Sequence, residues 1–148
     1  MATRIASDQI QNLQQIEAAV AGPGGANRLF TIAGQFTVGA GVFLLAGGGN
    51  QNQSTGMFTV LIGPKFTRQQ FFRAIGSAWL AKTSANVETA PPFGFAWAIS
   101  SVDADWDDES GQVELRIEVF MQVRGGAFNL VEIGSLAFQV TILAAVAT

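Results

Sequence analysis

The sequence predicts a mainly-β protein, arranged as an antiparallel β-sandwich or a jelly-roll-like single domain. Two long runs, 95–106 and 112–123, alternate apolar with polar residues and are joined by the acidic segment 107–111. That pattern is typical of a β-hairpin. The other apolar runs are short and end at glycine or proline, and short connections favour antiparallel pairing.

The composition excludes several kinds of site. The 148 residues include no Cys and no His. A disulfide framework, a Cys/His zinc site and a histidine-dependent nucleophile are therefore excluded. We expect neither catalytic nor cofactor-binding residues, and we do not expect an enzyme.

Charged residues are scarce, at 13% of the chain, whereas hydrophobic residues make up 49%. Eight Lys and Arg against eleven Asp and Glu give a net charge of −3. The cations are scattered along the chain, so we expect neither nucleic-acid binding nor attachment to an anionic membrane. The low charge favours a homo-oligomer with apolar interfaces, and the charge-free stretch 29–62 is the candidate interface.

The N-terminal segment 1–25 is predicted to be a helix followed by a Gly/Pro linker, with the β-rich domain over 26–148. Ser7 or Asp8 can cap a helix over 7–21, which Gly22-Pro23-Gly24-Gly25 would end. The helix would carry a narrow apolar stripe of Ile10, Leu13, Ile16 and Val20. No signal peptide is visible before it, which favours a cytoplasmic or particle-associated location.

The first strands are predicted over 28–38, 42–46 and 57–62, with 47–56 as a polar loop. The run 28–46 is nearly long enough to span a membrane, but its period of two and its glycines argue against a span. Residues 128–133 and 136–146 are predicted to form the last strand or strand pair, broken at Gly134-Ser135.

Residues 66–82 fit two patterns. As a helix, Thr67 and Gln70 form a capping box ahead of a broad apolar face, and this reading is favoured. The resulting alternative fold is α+β, with this helix covering a sheet. As a strand, Arg73, Ile75, Ser77 and Trp79 would share one face with Phe71, opposite Phe72, Ala74, Gly76, Ala78 and Leu80.

The hairpin predicts its own register. If Val102, Ala104 and Trp106 share the buried face with Val113, Leu115 and Ile117, residue 106 pairs with 113, 104 with 115 and 102 with 117. The other face then pairs Asp105 with Glu114, Asp103 with Arg116 and Ser101 with Glu118. Trp97 would lie opposite the buried face, so that both faces of this strand carry a large aromatic side chain.

The same hairpin contains the candidate metal ligands Asp103, Asp105, Asp107 and Glu114. Their spacing partly matches a calcium-binding loop, although Asp108 stands where that loop requires glycine. Because like charges face each other at Asp105 and Glu114, a Ca²⁺ ion could bridge them. The alternative is a solvated acidic tip that blocks edge pairing.

The C-terminal half resembles H-type lectin domains in its strand rhythm and in the final Ile142-Leu143-Ala144. The resemblance includes no sugar-binding motif and assigns no residue. The sequence therefore predicts a non-catalytic structural or assembly protein that self-associates. The alternative is a ligand-binding module, either lectin-like or Ca²⁺-dependent through the hairpin 103–114.

Overall fold

The computed structural model of the chain describes residues 2–22, 25–38, 43–45, 51–86, 94–124 and 130–145. These residues form two β-sheets packed against each other and contain no α-helix, which confirms the predicted mainly-β sandwich. Nor does this part of the chain hold any helix long and apolar enough to cross a membrane.

Nine strands and one 3₁₀ turn follow each other along the described chain. The strands are β1 (Ala2–Ile5), β2 (Ile10–Gly22), β3 (Gly25–Thr37), β4 (Phe43–Leu45), β5 (Gln51–Ile62), β6 (Phe71–Asn86), β7 (Gly94–Trp106), β8 (Val113–Arg124) and β9 (Leu130–Ala145). The 3₁₀ turn at Ser7–Gln9 separates the first two strands.

The first sheet, sheet I, has the order β1-β5-β8-β7. In the second, sheet II, β9 is central: β6 pairs with one side, and β3 followed by β4 pairs with the other. Beyond β3, strand β2 forms the edge of sheet II. All pairings are antiparallel except that of β1 with β5.

The core lies between the sheets and is built from alternate residues of the central strands. Phe36, Phe138 and Leu115 are fully buried, and the Phe36 ring centroid lies 5.9 Å from that of Phe58. Phe30, Ile32, Phe36, Phe58 and Val60, which belong to the charge-free stretch 29–62, are all buried here. The absence of charge in that stretch therefore reflects the core in large part.

The predicted helix over 7–21 is wrong. Its first residues form the 3₁₀ turn, in which the Gln9 side chain accepts a hydrogen bond from the backbone N–H of Ala6 at 2.8 Å. The chain then continues as β2, which pairs with β3 as far as Gly22 opposite Gly25. Gly-Pro and Pro-Gly are signals of a turn between strands as much as of a helix end, and residues 23 and 24 themselves lie outside the described part.

The predicted helix over 66–82 is also wrong, and with it the α+β alternative. The capping box does form: Gln70 N–H donates to Thr67 Oγ1 at 3.3 Å, and Thr67 N–H donates to Gln70 Oε1 at 2.9 Å. It closes a single turn, after which β6 begins at Phe71. From Arg73 onward the strand alternation is as predicted, but a bulge at Phe71–Arg73 leaves Phe72 exposed and Phe71 half-buried.

The predicted hairpin register is confirmed for all six pairs from Ser101–Glu118 to Trp106–Val113. The placement of Trp97 is wrong, because β7 has a bulge between Ile99 and Ser101. The extra residue, Ser100, donates its hydroxyl to the Glu118 carbonyl at 3.1 Å. Trp97 therefore lies opposite Met121 and packs against the core on the same face as Trp106.

One loop prediction changes, and the open choice between a last strand and a strand pair is decided for a single strand. Residues 51–56, predicted as loop, extend β5, and their register with β8 is unbroken. The break at Gly134-Ser135 is an irregularity within a single strand, β9, after which the buried positions change from odd to even numbers. Residues 46–50 and 125–129 lie outside the described part.

Candidate functional site

The predicted metal ligands lie together at one end of sheet I. Asp103 and Asp105 on β7 share the solvent-facing side with Glu114 and Arg116 on β8. Together with Trp106 and Asp107 they line a shallow depression. The confirmed register produces this arrangement, because residues two apart on a strand point to the same face.

Glu114 is the carboxylate of this group that has cationic partners. Glu114 accepts from Arg4 at 3.0 Å and from Arg116 at 3.1 Å. Arg116 therefore bonds a carboxylate on its own strand, whereas the sequence paired it with Asp103 across the hairpin. The two guanidinium groups offset the like-charge contact between Asp105 and Glu114, so this pair is compensated without a bound ion.

Asp107 caps the hairpin turn. Its carboxylate accepts from the Ser110 hydroxyl at 2.6 Å and from the Ser110 N–H at 3.0 Å. These bonds stabilise the ionised form and lower the pKa of Asp107 from its ordinary value of 3.8. Within the described ranges, no group of three or more Asp or Glu side chains is placed to hold a metal ion.

The outer face of sheet II contrasts with this charged surface. Four register rows cross its four long strands; we call them the uncharged face, since Arg73, at one corner, is their single charged residue. The rows are Ala18–Leu29–Leu143–Arg73, Ile16–Thr31–Thr141–Ile75, Gln14–Ala33–Gln139–Ser77 and Gln11–Gln35–Ala137–Trp79.

Large apolar side chains are exposed at both edges of this face. Ile16 on β2 is 66% exposed, and Ile75 at the other end of the same row is 61% exposed. Trp79 on β6 is 47% exposed. Depletion of charge combined with exposed aliphatic and aromatic residues is the compositional mark of a protein interface.

A polar groove adjoins the uncharged face, on the side of the Trp79 row. It has a volume of about 470 Å³ and is lined by Gln11, Gln35, Thr37, Val38, Lys82, Glu132, Gly134 and Ser135. The groove thus offers amide, hydroxyl, ammonium and carboxylate groups to a ligand. Trp79 lies outside this lining but shares a register row with Gln35.

Sequence reasoning missed the uncharged face because it placed Ile16 and Ile75 on helices. The signal was present in the alternation over 73–80, which the capping box at Thr67 outweighed. Comparison of the chain with protein-family models, with curated proteins and with solved structures finds no match.

Proposed function

We propose that this chain is a non-catalytic structural or assembly protein whose copies associate through the outer face of sheet II. The observation that carries the proposal is the contrast in charge between the outer face of sheet I and the four rows of sheet II, which end before Lys82 and Glu132. Arg4, Asp103, Asp105, Glu114 and Arg116 lie on the outer face of sheet I. The four rows across sheet II contain one charged residue, Arg73.

The size of the uncharged face is compatible with such a role. Four strands about 4.8 Å apart and four rows about 6.6 Å apart cover roughly 500 Å². A symmetric pair would bury about 1,000 Å², which is the lower limit for a specific interface. Stable assembly through this face is therefore expected to need a second contact.

The test is the mass of the native particle by light scattering at micromolar concentration. We expect a multiple of the chain mass for the wild type. Thr141→Lys places a charge at the centre of the face and should reduce that mass. Thr55→Lys is the matched control, because Thr55 is exposed on β5 of sheet I. A wild type with the mass of one chain would refute the proposal.

A second candidate function is lectin-like carbohydrate binding at the polar groove. The supporting observations are the amide and hydroxyl groups that line the groove and the exposed ring of Trp79, which lies two strands from Gln35 in the same register row. Sugars are bound by hydrogen bonds and by contact with aromatic faces. A glycan array tests it, and Trp79→Ala should abolish any binding. Phe95→Ala is the control, because Phe95 is similarly exposed, at 46%, on β7 of the other sheet.

A further inference from the structure

Strand β2 is unusual in being exposed on both faces. Gln15 and Glu17 belong to the inward-facing set, yet they are exposed, as are Gln14, Ile16 and Ala18 on the outer side. The reason is the unequal length of the sheet edges. Because β6 packs against β7 at one side of the sandwich, the opposite side has β2, with 13 residues, at the edge of sheet II and β1, with only 4, at the edge of sheet I.

The free edge of β2 is open as well. Among the described residues β2 pairs with β3 alone, which leaves its other row of backbone N–H and C=O groups without a strand neighbour. Proteins usually protect such an edge with lysine, proline or a bulge. The single bulge of β2 lies between Gln11 and Gln14, and the strand beyond it carries one charged residue, Glu17.

We infer that β2 pairs antiparallel with β2 of a second copy, so that two copies of sheet II join edge to edge. This inference rests on the proposed self-association and supplies the second contact that the uncharged face requires. The joined sheet would have its uncharged rows side by side across eight long strands. Two such sheets stacked face to face would bury about 2,000 Å², well within the range of stable interfaces.

The sequence of β2 favours one register. The regular segment from Gln14 to Gly22 is paired in full when Ala18 faces its own symmetry copy. Ile16 then faces Val20 of the second copy, and Glu17 faces Ala19. Pairing centred on Glu17 would place two carboxylates directly opposite each other, which is unfavourable.

The test uses the absence of cysteine from the chain. In the proposed register the Cα atoms of the two Ala18 residues lie about 4.5–5.5 Å apart, within reach of a disulfide. Face-to-face stacking of sheets holds residues about 10 Å apart, beyond that reach. Ala18→Cys should therefore crosslink under mild oxidation, with a doubling of the denatured mass that dithiothreitol reverses.

Two control variants make the result specific. Ala81→Cys carries the same substitution at an exposed position of β6, the opposite edge strand, and should not crosslink. Gln14→Cys tests the register, because residue 14 would face Gly22 of the second copy. A crosslink through Gln14→Cys but not through Ala18→Cys would overturn the register that we propose.

The outcomes separate this inference from the proposed function. If Ala18→Cys does not crosslink while Thr141→Lys reduces the native mass, the edge pairing is refuted and association through the face stands. If Ala18→Cys crosslinks while Thr141→Lys has no effect on the native mass, the edge pairing stands and the face is refuted. A wild type that is monomeric, with no crosslink, refutes both.

Discussion

Gly76 on β6 faces Leu115 on β8 so closely that a Cβ atom added to Gly76 would lie 2.7 Å from Leu115 Cδ1. The same atom would lie 3.3 Å from Ala104 Cβ and 3.4 Å from Val102 Cγ1 on β7. The edge strand β6 of sheet II therefore approaches sheet I because glycine leaves room for Leu115, which is fully buried.

Gly76→Val is expected to lower the free energy of unfolding by about 1–3 kcal/mol, because the added side chain overpacks the region around Leu115. Gly94→Val is the matched control in β7, since a Cβ atom there meets nothing within 4 Å. The control should change stability by less than about 0.5 kcal/mol. Urea denaturation measures both, and equal losses in the two variants would contradict the close approach at Gly76.

The hairpin of β7 and β8 was predictable because one face had to be buried. A shift of one residue would have moved Val113, Leu115 and Ile117 to the solvent side, so the burial of these residues fixed the register. The alternation in sequence is therefore enough to predict which residues face Asp105 and Asp103. It does not predict which carboxylate a long side chain reaches. Arg116 bonds Glu114 rather than Asp103.

The helices were mispredicted because helix-capping signals are local. Thr67 and Gln70 make the hydrogen bonds of a capping box, yet that box can close one turn without a helix after it. Pairing with β9 along β6 then outweighs the local preference. The bulge at Ser100 limits prediction from sequence in a different way. One extra residue reverses the predicted face of every residue on its far side, including Trp97.

The candidate sites also differ in whether a local sequence pattern predicts them. The acidic hairpin was found from its spacing, since all its residues are close in sequence. The uncharged face joins β2, β3, β9 and β6, which are far apart in sequence. No local pattern indicates that Ile16 and Ile75 share a register row, because the row depends on the strand order of sheet II.

The Trp106 side chain is hydrogen-bonded both to the loop before β6 and to the hairpin turn. Its Nε1–H donates to the carbonyl oxygens of Phe66 at 3.1 Å and of Gly111 at 3.2 Å. Trp106→Phe keeps an aromatic ring but removes the donor, and should cost about 1 kcal/mol of unfolding free energy, beyond any loss of packing. Trp79→Phe is the control, because Trp79 is exposed and makes no comparable hydrogen bond with any residue that the structure describes. A loss in the control as large as that for Trp106→Phe would contradict this role.

Ser110→Ala is expected to make the stability less dependent on acid pH. Removal of the hydroxyl donor raises the pKa of Asp107 back toward its ordinary value of 3.8. A carboxyl group whose pKa is lowered by folding stabilises the fold when the pH is above the ordinary pKa of the group. That contribution is lost as the pH falls through the lowered pKa. The melting temperature of the variant should thus lie below that of the wild type at neutral pH.

The difference between the two proteins should shrink as pH falls below 3.8 and disappear once Asp107 is protonated in both. Ser101→Ala on β7 is the control, because Ser101 is exposed and lies outside the turn. An NMR titration of the Asp107 carboxyl carbon measures the pKa directly. An unchanged pKa in Ser110→Ala would show that the hydroxyl does not stabilise the carboxylate.

Calcium is expected to leave the melting temperature unchanged at millimolar concentration. Glu114 is bonded to Arg4 and Arg116, and Asp107 to Ser110, so an ion would have to compete with these partners for the two carboxylates. Calorimetric titration with Ca²⁺ should accordingly give no heat beyond that of dilution. Arg4→Gln tests whether the arginines exclude the ion, because it removes one competing cation and leaves every carboxylate in place. A rise in melting temperature with Ca²⁺ in the wild type, abolished by Asp105→Asn, would instead establish the hairpin as a metal site.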